Sequence, residues 1–271
     1  MLSEVRRAAA IQAIHELDYF KQVEWFSEVD STNRYLAREC KSGQFPIPAL
    51  IVPDRHSRGI GRGGTTWWSP DGCLMFSIAM PWSPRDPESA QLPLIAGIAV
   101  AQTITQLAHG RASVKWPNDV YLEDRKICGV LIESSARSDE TGHDICIIGV
   151  GINCCVDFSN APEELRSTAI SLHETLGSRT DEAITPESVL LHFLNRWIAV
   201  HEEWRNDPSW IQSNWESWDW LSGRMVEVTL PDRVIQGVAS GIDSTGALIV
   251  IDRFGRNERV LSGTVRPIVT G

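Results

Sequence analysis

Apolar and polar positions divide the chain into a body of alternating helices and buried strands and a tail of short strands. At the start, Val5, Ala8, Ile11, Ile14, Leu17 and Phe20 recur at three-residue steps, which predicts an amphipathic helix over residues 1–22. Val23–Val29 follows as a strand, and Ala49–Val52 and Cys73–Ala79 are short apolar runs that predict buried strands. Residues 81–87 make a turn-rich connection. Leu92–Leu107 predicts a buried helix, with Ala96, Gly97, Ala99 and Ala101 small enough for close packing on a sheet. The arms Val120–Leu122 and Lys126–Ile132 flank a polar turn at Glu123-Asp124-Arg125 and predict a hairpin. Period two along its second arm places Lys126, Cys128, Val130 and Ile132 on one face, so a lysine is expected to head a core-facing row. Ile145–Asn153 is apolar almost throughout and predicts a central strand.

Thr168–Leu172 is expected to start a helix that ends near Gly177. Thr185-Pro186-Glu187 carries a cap, an N1 proline and an early acid, the start signals of a second helix with Val189, Leu190, Phe193, Leu194, Trp197, Ile198 and Val200 on its apolar stripe. The tryptophans at 197, 204, 210, 215, 218 and 220 read as core and interdomain packing. From Gly223 the texture changes to short strands, Met225–Leu230, Val234–Ile242, Ala247–Ile251 and Glu258–Gly263, which predict a small all-β barrel. The domains are expected at 1–221 and 222–271.

Composition narrows the class. The chain has 271 residues, 42% apolar and 22% charged, as expected for a globular protein of one large domain or a large and a small one. The net charge of −10 argues against nucleic acid as the main partner. No apolar run approaches membrane-spanning length, and residues 1–20 are too charged for a secretory signal, so no membrane partner is expected. Six cysteines without a CxxC pair read as reduced thiols of a cytoplasmic protein. The histidines show no HxH or HExxH spacing, so no dedicated metal site is expected.

Three stretches are dense in chemistry. Ser31 or Thr32 suits the cap of a helix, the commoner use of such residues; Ser31-Thr32-Asn33 together also suits ligand binding at a helix start. Residues 56–72 hold Gly59, Gly61, Gly63, Gly64 and Gly72 and end in Trp67-Trp68, which suits a loop that wraps a small molecule and buries its own tryptophan. No P-loop or dinucleotide fingerprint is present. Lys115, Asn118, Asp119, Arg125 and Lys126 crowd the hairpin, and a ligand phosphate or carboxylate would partner its lysine. Asn153, closing the central strand, either starts a turn or presents its amide to a ligand.

The chain resembles the biotin protein ligases. The resemblance runs through Ser31-Thr32-Asn33, Gly59-Ile60-Gly61-Arg62-Gly63-Gly64 with Trp67, Ser69, Pro70 and Gly72, then Lys115-Trp116-Pro117-Asn118-Asp119, Arg125-Lys126 with Gly129-Val130-Leu131-Ile132-Glu133, and Gly149-x-Gly151-Ile152-Asn153. It covers nearly the whole chain. It implies an α/β (α+β) fold, a class II synthetase-like mixed sheet flanked by helices, with a C-terminal SH3-like barrel. It also implies a two-step reaction: biotin and MgATP give biotinyl-5′-AMP, and a lysine of a carboxylase carrier domain then takes the biotinyl group. By the same resemblance Lys126 and Arg62 meet the reacting anions. Ser31, Thr32, Asn33, His56, Ile60 and Gly61 hold biotin together with Arg62 and Lys126. Trp67, Lys115, Asn118 and Asn153 serve the nucleotide, Asn118 and Asn153 near Mg²⁺, and Asp119 positions the incoming lysine.

The sequence departs from the family at His56, where glutamine is usual, and at Ile60, Gly63 and Thr65, where arginines are usual. Fewer loop cations imply weaker adenylate retention or a loop that orders later. The family's bifunctional members carry an N-terminal DNA-binding domain, for which residues 1–22 are too short, so a ligase without operator binding is expected. Lipoate or octanoate ligases and transferases share the fold and the catalytic lysine, and a non-catalytic biotin sensor is the reading from another class. An exposed edge strand would support a homodimer, and a monomer fits equally.

Overall fold

In the computed structural model, the described residues are 2–42, 44–83, 90–108, 110–135, 144–176, 184–207 and 209–268. Part of the 81–87 connection, and Gly177, lie outside them. The helices are α1 (Leu2–Glu16), α2 (Thr32–Glu39), α3 (Leu92–Leu107), α4 (Glu163–Arg166), α5 (Leu172–Leu176), α6 (Pro186–Asn206) and α7 (Trp210–Trp215). The first seven strands are β1 (Gln22–Val29), β2 (Ala49–His56), β3 (Cys73–Trp82), β4 (Ser113–Lys115), β5 (Asp119–Leu122), β6 (Arg125–Ser135) and β7 (Asp144–Asn153).

These strands form one sheet in the order β1-β2-β3-β7-β6-β5-β4. Only β1 and β2 are parallel. The strand β7, apolar from Ile145 to Ile152, is central because both its faces are covered. Leu74, Phe76 and Ile78 of β3, Cys128 and Val130 of β6, and Ile148, Val150 and Ile152 of β7 face the main core with α3 and α6. Phe76 meets Phe193 there with ring centroids 5.0 Å apart, and Trp197 and Phe193 are both fully buried. On the opposite face α2 sets Leu36 against Ile51, Ala79, Ile145 and Ile147. Alternation carries that second row on to Gly149, Gly151 and Asn153.

The central elements follow the sequence pattern, and five details correct it. The first helix ends at Glu16 and buries Ala10 and Ile14, while Val5 is 64% exposed. A strict three-residue repeat precesses around a helix of 3.6 residues per turn, so the expected stripe cannot stay on one face. Ser31 occupies the N-cap of α2 without a side-chain capping bond. Residues 168–171 are not helical: Lys126 N–H donates to Thr168 O (2.7 Å) and Ile170 N–H to Lys126 O (3.0 Å), so this segment is held against the start of β6.

The fourth correction concerns the lysine. Tyr121 pairs with Lys126 and Val120 with Cys128, so Ile127 is an extra residue, a bulge. The bulge moves Lys126 off the Cys128–Val130 row and onto the face shared by Gly129 and Asp119. The fifth is a strand not anticipated. The C-terminal sheet comprises β8 (Met225–Thr229), β9 (Val234–Ile242), β10 (Leu248–Asp252), β11 (Asn257–Val260) and β12 (Thr264–Pro267), antiparallel in the order β11-β10-β9-β8-β12. The predicted strand at 258–263 stops at Val260, and the chain turns through Gly263 into β12.

Two buried side chains tie the sheets together. Trp116 Nε1 donates to Gly246 O (3.0 Å), and Gln91 Nε2 to Ser244 O (2.7 Å), with Gln91 Oε1 accepting from Trp204 Nε1 (2.7 Å). Trp116→Phe removes one buried donor and part of a packed ring, and is expected to lower unfolding free energy by about 1–3 kcal/mol in urea titration. An unchanged midpoint would show that the tie contributes nothing.

Candidate active site

A cavity of about 910 Å³ opens on the α2 side of the sheet, over β6 and β7. Its floor is made by withheld side chains. Gly129 and Gly151 both face the indole of Trp67: a Cβ at Gly151 would stand 2.9 Å from Trp67 Cε2, and one at Gly129 3.0 Å from Cζ3. The contact at Gly151 is shorter than real Cβ atoms make and that at Gly129 is tighter than nearly all of them, so the tryptophan lies against the sheet because glycine stands at these positions. The loop carrying Trp67 closes on itself, with Gly61 N–H donating to Thr65 O (2.7 Å) and Trp67 N–H to Gly59 O (3.0 Å).

The cations gather at one end. Lys126 Nζ lies 2.6 Å from Asp119 Oδ1 and 5.3 Å from the centroid of the Trp67 ring. Lys115 does not line the cavity; it stands behind Tyr121, with Nζ 3.3 Å from the Tyr121 hydroxyl and near the Trp220 ring. Burial pushes the Lys115 pKa down, Asp119 opposes that shift, and Lys126, Arg266 and Arg62 reinforce it. Arg62 reaches the rim and donates from Nη2 to Gly263 O (2.7 Å), so the glycine loop rests on the C-terminal sheet. Asn118 Nδ2 donates to Val130 O (2.6 Å), and Asn153 Nδ2 to Ile170 O (3.1 Å). Both amides are thereby oriented by backbone, and both line the cavity.

The other end is a buried polar cluster. Ser31, Thr32 and Asn33 are at most 5% exposed. Asn33 Nδ2 donates to Glu133 Oε2 (2.7 Å), and Asn33 Oδ1 accepts from the fully buried Ser77 (2.6 Å). Thr32 N–H donates to His56 Nε2 (3.2 Å). Burial holds His56 neutral by pulling its pKa down to about 4, against a weaker upward pull from Asp30.

The sequence-chosen residues thus converge, Lys115 and Arg125 excepted; Arg125 pairs instead with Glu174 (2.6 Å). Missed were Ser77, the partners of Asn33, and the loops Thr229–Pro231 and Ser262–Thr264 that wall the cavity from the C-terminal sheet. Ser77 had a signal: a lone hydroxyl inside the otherwise apolar run Cys73–Ala79. The C-terminal loops had none. Among the described residues no group of three His, Cys, Asp or Glu side chains is placed to hold a metal ion.

Two outcomes follow from this geometry. Gly151→Ala is expected to displace the Trp67 indole, seen as a changed near-ultraviolet circular dichroism spectrum with the far-ultraviolet spectrum kept; an unchanged near-ultraviolet spectrum would contradict the packing. For pH, an unfolded histidine protonates near 6.5 and folded His56 near 4, so the unfolded chain binds more protons between those values. Stability from this group is complete above pH 6.5 and is lost as pH falls toward 4. His56→Gln should make urea-unfolding stability fall less between pH 7 and 4, by about 3 kcal/mol; an identical slope would rule out His56 as the cause.

Comparison with known proteins agrees with this geometry. Residues 25–153 match the biotin/lipoate A/B protein ligase family and residues 221–266 the biotin protein ligase C terminal domain. The chain is 30% identical over 232 residues to the bifunctional ligase/repressor BirA of Bacillus spizizenii, covering 85% of this chain and 70% of the relative. It is 27% identical over 252 residues to the biotin–[acetyl-CoA-carboxylase] ligase of Mycobacterium tuberculosis, covering 91% and 89%. Among solved structures, the biotin protein ligase from Aquifex aeolicus in complex with biotin and ATP superposes with a TM-score of 0.76 at 29% identity, over 92% of this chain and all of that one. With both sheets matched, and with a glycine-floored cavity that carries a lysine at one end and a polar cluster at the other, this chain belongs to the biotin protein ligase family.

Proposed function

We propose that this chain activates biotin with ATP and transfers it to a lysine of a carboxylase carrier domain. A biotin carboxylate oxygen attacks the α-phosphorus of ATP, the bond to the β-phosphate oxygen breaks, and pyrophosphate leaves. In the second step the acceptor's ε-amine attacks the biotinyl carbonyl carbon, loses a proton, and AMP leaves with the electron pair.

The observation that carries biotin over lipoate or octanoate is the polar cluster at the far end of the cavity. A cyclic urea offers N–H and C=O groups to Ser31, Thr32 and His56, with Ile60 and Gly61 above it. A dithiolane ring or an alkyl chain offers no such groups and would leave the buried cluster unpaired, which is costly.

Bringing a carboxylate to a phosphate joins two anions, so the barrier falls where cations stand along the path of developing charge. Lys126 sits there, and its pairing with Asp119 keeps the ammonium localised until the anions arrive. Arg62 exchanges its Gly263 carbonyl partner for the ligand phosphate. Trp67 lies along the tail and the nucleotide, excluding water from the mixed anhydride. Lys115 contributes positive charge from behind Tyr121, and Asp119 orients the incoming ammonium before it loses its proton.

Magnesium ion fits as part of the nucleotide and not as a resident ion. The amide oxygens of Asn118 and Asn153 are the hard donors available, with Asp119 beside them, and a magnesium ion commonly takes one or two protein oxygens with the phosphates. When bound, it supplies charge neutralisation on the phosphates.

Pyrophosphate exchange into ATP, measured with magnesium ion, is expected with biotin and absent with lipoate or octanoate. Exchange driven by lipoate or octanoate would assign the chain to the other branch of its family. Lys126→Ala is expected to cut biotin-dependent exchange about 10³-fold or more with unchanged circular dichroism; near-normal exchange would remove the lysine from its role.

A further inference from the structure

The polar cluster contains a proton count that the biotin-binding reading does not use. Asn33 Nδ2 faces two acceptors, Glu133 Oε2 at 2.7 Å and the Leu131 carbonyl at 3.4 Å. Neither offers a proton to a carbonyl oxygen, so the amide cannot be turned round, and Asn33 Oδ1 must point at Ser77. Having no proton of its own, Oδ1 takes that of the Ser77 hydroxyl (2.6 Å). Ser77 Oγ also lies 2.5 Å from Thr32 Oγ1. One hydroxyl carries one proton. With the Ser77 proton spent on Asn33, the proton in the second contact is the one on Thr32, which donates to Ser77. Thr32 Oγ1 is left with lone pairs toward the cavity.

The neighbouring group is fixed in the opposite sense. Thr32 N–H donates to His56 Nε2 (3.2 Å), so the proton of the neutral ring is on Nδ1.

We infer that the chain Glu133–Asn33–Ser77–Thr32, buried except at its exposed carboxylate end, polarises the head-group subsite and makes Thr32 an obligate acceptor, so that the site selects a ligand presenting an N–H to it. The inference rests on the biotin reading and adds residues that touch no ligand. Ser77 and Glu133 are positioning residues that set which way the Thr32 hydroxyl points, and Asn33 is a relay whose amide is committed to protein partners.

The test uses biotin and the two analogues in which one or the other ureido N–H is replaced by a ring oxygen, with binding to the full chain followed by calorimetry. In the unmodified protein the analogue that turns its ring oxygen to Thr32 sets acceptor against acceptor, and is expected to bind about 10-fold or more weaker than biotin. In Ser77→Ala the Thr32 hydroxyl loses its fixed acceptor, can turn to donate to the analogue, and the ratio is expected to fall below about 3-fold. Glu133 is exposed, so changing it leaves the core alone. Glu133→Leu frees the Asn33 amide and should lower the ratio in the same way, whereas Glu133→Gln, which can still present an oxygen to Nδ2, should keep it. A ratio unchanged in both Ser77→Ala and Glu133→Leu overturns the proton count while leaving biotin binding in place. Loss of binding to all three ligands by equal factors in both variants also overturns it, since that is the mark of a merely structural role. If the unmodified protein binds no biotin, the proposed function falls and this inference with it.

Discussion

A sheet packed on both faces has no room for a ligand unless side chains are withheld from one of them. Gly129, Gly149 and Gly151 withhold them here, and the rest of the site is arranged around the missing atoms. Trp67 rests on two of these glycines and Asn33 lies against the third, where a methyl group would overlap its amide. The main core meanwhile loses nothing, because the alternate residues Ile148, Val150 and Ile152 keep their full contacts on the other side. The trough is thus obtained without thinning the core, by using the two-residue period of the strand to separate stability from binding.

Much of this was legible in the chain. The run from Ile145 to Asn153 alternates Ile, Ile, Gly, Gly, Asn with Cys, Ile, Val, Ile, and that pattern contains both the central strand and the trough. The N-terminal boundary of α6 was legible because Thr185, Pro186 and Glu187 act locally, and the structure adds a capping box between Thr185 and Ser188. Three of the errors share a different cause. The bulge at Ile127 is a property of pairing with β5, which one strand's alternation does not reveal. Residues 168–171 give up helix for backbone bonds to a strand start more than forty residues away. Ser31 sits at a helix start, where capping is the general expectation, yet tertiary context leaves its hydroxyl out of the cap. Local rules located the residues; partners distant in sequence decided which way they face.

The electrostatics show the same economy. A chain of net charge −10 must still attract two anionic substrates. It does so by concentrating Lys115, Lys126, Arg62 and Arg266 near one mouth and offsetting them with the nearby carboxylate of Asp119. Ile60, Gly63 and Thr65 leave the Gly59–Thr65 segment with Arg62 as its cation, and that side chain is bonded to a backbone carbonyl of the C-terminal sheet. Charges held close to a bound ligand act strongly at short range whatever the sign of the distant surface.

The two ties between the sheets have a bearing on how such a protein can evolve. Trp116, which grips the C-terminal sheet at Gly246, lies between Lys115 and Asn118 in one short segment. Arg62 and the loops Thr229–Pro231 and Ser262–Thr264 complete the same wall. The C-terminal sheet is therefore not an exchangeable accessory. A substitute from another lineage would have to reproduce the hydrogen-bond acceptor for Trp116 and the rim for Arg62 together, so the two parts are expected to diverge as one inherited unit and to resist recombination at their junction.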